Sequence, residues 1–329
     1  MPDLYDVCAI GNAIVDVLSP ATEAFIAEQG LERGAMTLID EAQGEALYAK
    51  MAPGLEASGG SAANTIAGIA SLGGRAAYLG KVADDQLGEV FTHDMRAIGA
   101  HYDTPALKDG LATARCLINV TPDGQRTMCT FLGASTQFAE TDIDEGVIKS
   151  AGIVYLEGYL FDAEAARRAF ARAALLARAA GRKIALTLSD GFVVERHRQA
   201  LLAFIEADVD ILFANEAEIT ALFQTSDFDA ACEAVAGLVE IGAVTRSEKG
   251  SVVVGHGEMR HIAAAPVEKV VDTTGAGDQY AAGFLFGLAR RRSLVDCGRL
   301  GALAAAEVIS HFGPRPLVSL AELAKKNGL

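Results

Sequence analysis

The chain has 329 residues, 51% of them hydrophobic, and a formal net charge of −15. That acidity argues against a nucleic-acid backbone as partner, and the length suits one large domain with or without a small appendage. No uncharged apolar run reaches the ~18 residues of a membrane span, and no basic-then-apolar leader is evident, so neither a span nor a signal peptide is predicted. The five cysteines, at 8, 116, 129, 232 and 297, have neither zinc spacing nor a disulfide framework. They read as reduced core residues of a cytoplasmic protein.

Taken in order, a strand-like run at 5–10 leads into Gly11-Asn12-Ala13-Ile14-Val15-Asp16. Short β-like runs follow at 13–18 and 35–39. Gly59-Gly60-Ser61-Ala62-Ala63-Asn64-Thr65 then opens a helix pattern with Ile66, Ile69 and Ala70 on one face, stopped by Gly73-Gly74. The glycine pair lets bare backbone approach a ligand, and Asn64, both donor and acceptor, suits a pair of hydroxyls. Beyond it the runs at 76–81, 153–156, 183–188, 209–213 and 242–246 read as strands. Helix patterns near 86–98, 163–180, 195–206 and 229–241 alternate with them. That alternation predicts a parallel sheet covered on both faces, with ligands beyond the carboxyl ends of its strands. A second β-like pair, 115–120 and 126–132, interrupts it and is joined by the turn Thr121-Pro122-Asp123-Gly124-Gln125. Tyr159 and Phe161 are candidates to stack on a purine, or else to pack in the core.

The most informative stretch is Asp272-Thr273-Thr274-Gly275-Ala276-Gly277-Asp278, placed after an apolar, strand-like run at 267–271 and before a helix pattern at 279–289. Two glycines around a small residue let the backbone gather its N–H groups at a helix start, where phosphate is attracted. Asp278 would only weaken a pure phosphate site. A carboxylate inside an anion hole instead suggests a base facing a hydroxyl while the hole holds a phosphoryl group. A plain capping turn is the bland alternative.

The string at 272–278 resembles the C-terminal signature of the ribokinase/PfkB-type carbohydrate and nucleoside kinases, and the string at 59–65 resembles the N-terminal one. The resemblance implies a three-layer α/β/α ribokinase-like fold with a small β-sheet lid, ATP and Mg²⁺ as cofactors, and an anion hole at Gly275, Ala276 and Gly277 with Asp278 as catalytic base. It implies acceptor contacts at Asn12, Asp16, Gly59, Gly60 and Asn64. Asn215-Glu216-Ala217-Glu218 matches the family's Asn-x-x-Glu element, which places Glu218 near Mg²⁺ through water. Thr245-Arg246-Ser247-Glu248-Lys249-Gly250 looks like its nucleotide-binding turn, which adds Thr245, Arg246 and Gly250 to Asn215 as nucleotide residues. Asp272 and Thr274 match positions that hold K⁺ in many members. The lid would comprise 13–57 and 110–136, and the large domain 1–12, 58–109 and 137–329.

Residues 61–65 and the length look more like the adenosine-kinase-like members than the ribokinases, although Ala63 stands where adenosine kinases often have Gln. The expected reaction is ATP-dependent phosphorylation of a nucleoside hydroxymethyl group. A sugar kinase for ribose, fructose or a keto-deoxy sugar acid, and a catalytically silent sensor on the same fold, are the alternatives. Either a monomer or a homodimer is compatible. Other phosphate motifs fail: residues 74–82 do not fit the P-loop spacing, and no Gly-x-Gly-x-x-Gly follows the first strand. No metalloprotease-like histidine pair is present, and Ser61 and Ser135 lack a nucleophile elbow.

Overall fold

The computed structural model describes residues 4–329. Its main sheet has eight strands. In chain order these are β1 (Tyr5–Ile10), β5 (Ala76–Leu79), β8 (Ala151–Glu157), β9 (Lys183–Thr187), β10 (Ile211–Asn215), β11 (Ile241–Thr245), β12 (Ser251–Gly255) and β13 (Glu258–Ile262). They lie in the order β13-β12-β11-β10-β9-β8-β1-β5. The six strands from β5 to β11 are parallel, and at the edge β12 pairs antiparallel with β11 and β13 antiparallel with β12.

Helices cover both faces. One face carries α5 (Glu145–Ser150), α6 (Glu164–Ala179), α7 (Gly191–Asp208), α8 (Glu216–Phe223) and α9 (Phe228–Leu238). The other carries α3 (Ser61–Ser71), α4 (Gln86–Ala97), α10 (Ala276–Ala289) and α11 (Leu294–Val308), with α12 (Leu320–Lys326) against the outside of α11. Because both faces of the sheet are buried, its central strands are continuous apolar runs such as Val7 to Ile10.

The second sheet has the order β3-β7-β6-β2-β4, built from β2 (Ile14–Pro20), β3 (Met36–Leu38), β4 (Leu55–Gly59), β6 (Ala114–Val120) and β7 (Arg126–Phe131). Its period of two is functional. Val17, Leu117 and Cys129 lie in register and pack beneath α1 (Glu23–Glu28) and α2 (Glu41–Tyr48). The intervening row, Ala57, Asp16, Cys116 and Thr130, faces the other way. The strand β4 pairs with β2 as far as Gly59, two residues beyond the expected lid border at 57.

One expected strand is absent. Residues 263–273 are irregular and mostly exposed. Glu268 and Lys269 interrupt the run there, and its tie to the body includes the Val271 N–H donating to the Ile309 carbonyl. The 272–278 turn therefore follows a loop rather than a strand. The five cysteines are all buried and unpaired. Among the described residues no helix is long and apolar enough to cross a membrane.

Candidate active site

Two helices form the floor of the cleft, and both start on a glycine with no capping side chain. Helix α10 begins at Gly275, whose φ of 78° is left-handed and whose Cβ would lie 2.7 Å from Pro314. Only glycine meets both demands. The Ala276 N–H is taken by the Thr273 carbonyl at 3.2 Å. The N–H groups of Gly275, Gly277 and Asp278 have no partner among the described residues, as expected of a helix start. A Cβ on Gly277 would meet nothing within 4 Å. The protein's packing does not require glycine there, and its bare Cα leaves open space in front of the N–H groups.

Asp278 lies in the first turn of α10, and its carboxylate is fully engaged. Ser61 Oγ donates to Oδ1 at 2.6 Å, and Asn64 Nδ2 donates to Oδ2 at 3.1 Å. Both donors are on the first turn of α3, three residues apart and so on one face. The helices are locked together behind them. Thr65 Oγ1 donates to the Asp278 carbonyl at 3.2 Å, and the buried Gln279 Nε2 donates to the carbonyls of Asn64 and Pro314 at 2.9 and 3.0 Å. Burial raises the Asp278 carboxyl above the ordinary aspartate range, while Ser61 and Asn64 pull it back down.

Asn12 follows the carboxyl end of β1, and Glu157 ends the neighbouring β8. Glu157 Oε1 accepts from the Asn12 backbone N–H and from its Nδ2 at 3.2 and 2.9 Å. Its Oε2 accepts from the Ala62 N–H at 2.8 Å, supplying α3 with the cap that Gly60 cannot. Burial pushes this carboxyl up to about 7. Gly60, at φ 92°, sits against the Asn12 carbonyl, and Gly59 lies so close to Asp16 that a Cβ would overlap its carboxylate.

Asp16 is the exception in this polar cluster. It is only 9% exposed, yet no hydrogen bond or ion pair reaches its carboxylate among the described residues. Burial pushes it up to about 7, offset by Arg315 and Arg126 and reinforced by Asp278.

The lid reaches the floor through Arg126, the first residue of β7. Its guanidinium pairs with Asp272, and its Nη1 donates to Thr274 Oγ1 at 3.3 Å. Asp272 is otherwise saturated: Oδ1 accepts from the Thr274 N–H and Oδ2 from the Gly313 N–H, each at 3.0 Å. Asp272 and Thr274 therefore do not fit a potassium ion in this arrangement, because a guanidinium already supplies the positive charge.

The residues expected at the nucleotide form a separate cluster on the same edge. Asn215 and Thr245 are register partners at the carboxyl ends of β10 and β11. Asn215 and Glu218 form a reciprocal capping box: Glu218 N–H donates to Asn215 Oδ1, while Asn215 Nδ2 and N–H donate to the Glu218 carboxylate at 2.7 and 3.0 Å. Burial pushes Glu218 up to about 7. Arg246 donates to Glu216 at 2.7 Å and lies 3.7 Å over the Phe228 ring. Gly250, at φ 84°, closes the turn by accepting from the Arg246 N–H at 2.7 Å.

Phe161 is 2% exposed and packs against Phe170 and Phe204, so it belongs to the core and not to a stacking surface. Tyr159 is partly buried, on the edge of the same core. Four contributors were not singled out from sequence. Ser61 carried a signal, its spacing of three from Asn64. Glu157 carried a weaker one, a lone acid closing an apolar strand. Arg126 and Arg315 carried none, since only the tertiary fold brings them to the cleft.

A carboxylate held beside open backbone N–H groups, on the carboxyl edge of a parallel sheet and beneath a second sheet, is the layout of a phosphotransferase acting on an alcohol. The chain belongs to the pfkB family of carbohydrate kinases, whose profile matches residues 45–320. Among solved structures, it is similar to the adenosine kinase from Sinorhizobium meliloti, with 52% identity and a TM-score of 0.92 over 98% of this chain and 99% of that one. A probable sugar kinase from Rhizobium etli is similarly near, with 47% identity and a TM-score of 0.93 over 99% of both chains. Saccharomyces cerevisiae adenosine kinase is 26% identical over 93% of this chain and 95% of its own.

Proposed function

We propose that this kinase transfers the γ-phosphoryl group of ATP to the 5′ hydroxyl of a nucleoside, adenosine first. The observation that carries the reading is Asp278, hydrogen-bonded by Ser61 and Asn64 beside the open N–H groups of Gly275 and Gly277. Asp278 accepts the proton of the attacking hydroxyl. The N–H groups at the start of α10 stabilise charge on the phosphoryl group in transfer. Asp16, Asn64 and the bare backbone of Gly59 and Gly60 hold the acceptor's ring hydroxyls, and Asn12 is fixed beside them by Glu157. Asn215, Thr245, Arg246 and Gly250 hold the nucleotide. The lid, with Arg126 at its tip, excludes water, which protects ATP from hydrolysis.

Magnesium, when bound, neutralises charge on the phosphates. Among the described residues no group of three potential ligands could hold a metal alone. The nucleotide's phosphates would hold most of its coordination, with Glu218, satisfied by Asn215, acting through water.

A free-sugar acceptor is the second reading. Phe161 favours it, since core packing removes one of the two aromatics that would grip a base, and the identity to the Rhizobium etli protein supports it. One panel decides: adenosine, inosine, guanosine, ribose, fructose and 2-keto-3-deoxygluconate, each with Mg·ATP. Adenosine is expected to give the highest kcat/KM. Turnover of a free sugar with none of any nucleoside would replace the first reading by the second. No phosphorylation of any acceptor, with ATP still bound, would leave a silent sensor.

A further inference from the structure

We propose that Arg315 is a recognition residue for the acceptor, completing with Asp16 a clamp that selects an uncharged molecule carrying a pair of ring hydroxyls. This rests on the kinase reading above and deepens it.

Arg315 lies in the segment between α11 and α12, partly buried at the cleft. Its contacts are weak ones. Nε reaches Asn64 Oδ1 at 3.4 Å, and Nη2 reaches Met95 Sδ at 3.7 Å. No carboxylate comes within ion-pair distance among the described residues. Asp16, Asp94 and Tyr78 are near enough to act on it electrostatically, but burial prevails and lowers its pKa. A guanidinium with five N–H donors is thus held at the cleft with few protein acceptors, and its free N–H groups, which are not sealed from solvent, are open to a ligand.

Asp16 presents the complementary deficit. It is buried, carries only acceptors and has no donor. The two groups feel each other's charge but form no ion pair, so a gap separates them. A hydroxyl both donates and accepts. One hydroxyl of an adjacent pair can give its proton to Asp16 while the pair's lone electrons accept from Arg315, which satisfies both buried groups at once. Arg126 also faces Asp16, but both its Nη atoms are engaged by Asp272 and Thr274, and only its Nε is left without a partner.

Charge narrows the choice further. Asp16 and Asp94 act on Arg315 and Asp278 acts on Asp16, so a phosphate or carboxylate on the acceptor would meet like charge here. Asn64 joins the clamp to the reaction centre, because its Oδ1 is turned toward Arg315 and its Nδ2 toward Asp278. Hydroxyls seated in the clamp would leave the hydroxymethyl arm to point at Asp278.

The test compares adenosine with 2′-deoxyadenosine and 3′-deoxyadenosine, and ribose with 2-deoxyribose, in the wild-type protein, Arg315→Met and Arg315→Lys. The wild type is expected to prefer the full diol over at least one deoxy analogue by about tenfold or more in kcat/KM. Arg315→Met should lose roughly 10–100-fold on the diol, mainly through KM, and should lose its discrimination against that analogue. Arg315→Lys should fall between. Equal losses on diol and deoxy acceptors, or a loss confined to kcat, would assign Arg315 to positioning Asn64 and overturn the clamp. Activity on ribose 1-phosphate in the wild type that Arg315→Met loses and Arg315→Lys largely keeps would make Arg315 an anion anchor and overturn it too. ATP affinity and the circular dichroism spectrum check the fold, and if the Met variant does not fold, the Lys variant carries the comparison. A wild type inactive on every acceptor removes the kinase reading and the clamp together, an outcome visible without any variant.

Discussion

The floor and the lid of the cleft are built on opposite plans. On the floor the carboxylates are already bonded, Asp278 to Ser61 and Asn64 and Glu157 to Asn12 and Ala62, and only the N–H groups that open α10 are left facing the cleft. On the lid, Asp16 stands buried with no partner of its own. Groups that perform chemistry gain from being held before the substrate arrives, since no reorganisation is left for the moment of reaction. A group expected to recognise the substrate gains from having no protein partner, since no internal bond has to be broken when the ligand arrives.

The sharpest way to break this contrast is at the floor. Asp278→Asn is expected to lower kcat by roughly 10²-fold or more with ATP affinity and thermal midpoint nearly unchanged. Near-normal turnover would mean that the ordered floor is scaffolding only. The two glycines of the turn should then separate. Gly275→Ala forces a side chain into a left-handed position against Pro314 and should destabilise the protein by about 1–3 kcal/mol. Gly277→Ala meets no protein atom and should keep or slightly raise stability, by up to ~1 kcal/mol, while turnover falls because the methyl occupies the phosphoryl's place. Thermal melts alongside initial rates distinguish them; a Gly277→Ala enzyme with full activity would remove the open space from its role.

At the lid, Asp16→Asn tests recognition and electrostatics together. Acceptor KM should rise by about 10–100-fold, from ~1–3 kcal/mol of lost pairing, while KM for ATP stays put. The same variant has a pH signature without substrate. Burial raises the Asp16 carboxyl from its ordinary value to about 7, so the folded state binds the proton more tightly than the unfolded one. Its contribution therefore favours folding below the unfolded pKa and is lost as pH rises from about 4 to about 7. The wild-type melting temperature should decline more steeply across that window than that of Asp16→Asn, and parallel curves would contradict an unpartnered Asp16. The smallest expected effect concerns monovalent cations. With Arg126 on Asp272 and Thr274, exchanging K⁺ for tetramethylammonium should change the rate by less than about twofold, in keeping with a guanidinium in the cation's place. A tenfold dependence would mean that the lid arginine leaves during turnover.

Much of this contrast was legible in the sequence, and unevenly so. The floor could be read because its demands are local: a glycine-rich string before a helix pattern names both the turn and the residues on its first face. The main sheet could be read because strands buried on both sides are continuous apolar runs. The lid was legible in the short β-like runs at 13–18 and 35–39, which became β2 and β3, and in the hairpin at 115–132, but not in its remaining strand. The strand from Leu55 to Gly59 contains one apolar residue besides alanine, and pairing with β2, not composition, makes it a strand. The run at 267–271 misled for the converse reason, since it has apolar residues but no neighbouring strand to bond. Arg126 and Arg315 are isolated arginines in their segments, and nothing local distinguishes them from surface charge.

The lid's interleaved route has a consequence for how the chain acquires its shape. Ile14 pairs with Ala114, and β5 and α4, both parts of the main body, lie on the stretch between them. Closing so long a loop costs entropy before any pairing repays it, whereas α3 and β5 follow each other closely in the chain. The main sheet bears the same cost, since β1 must find β8 across a longer stretch still. What sets the lid apart is its small core, Val17, Leu117 and Cys129 packed with Leu47 of α2. It is therefore the unit expected to open at least expense, so that the cleft can admit and release ligands by a partial loosening that leaves the floor intact.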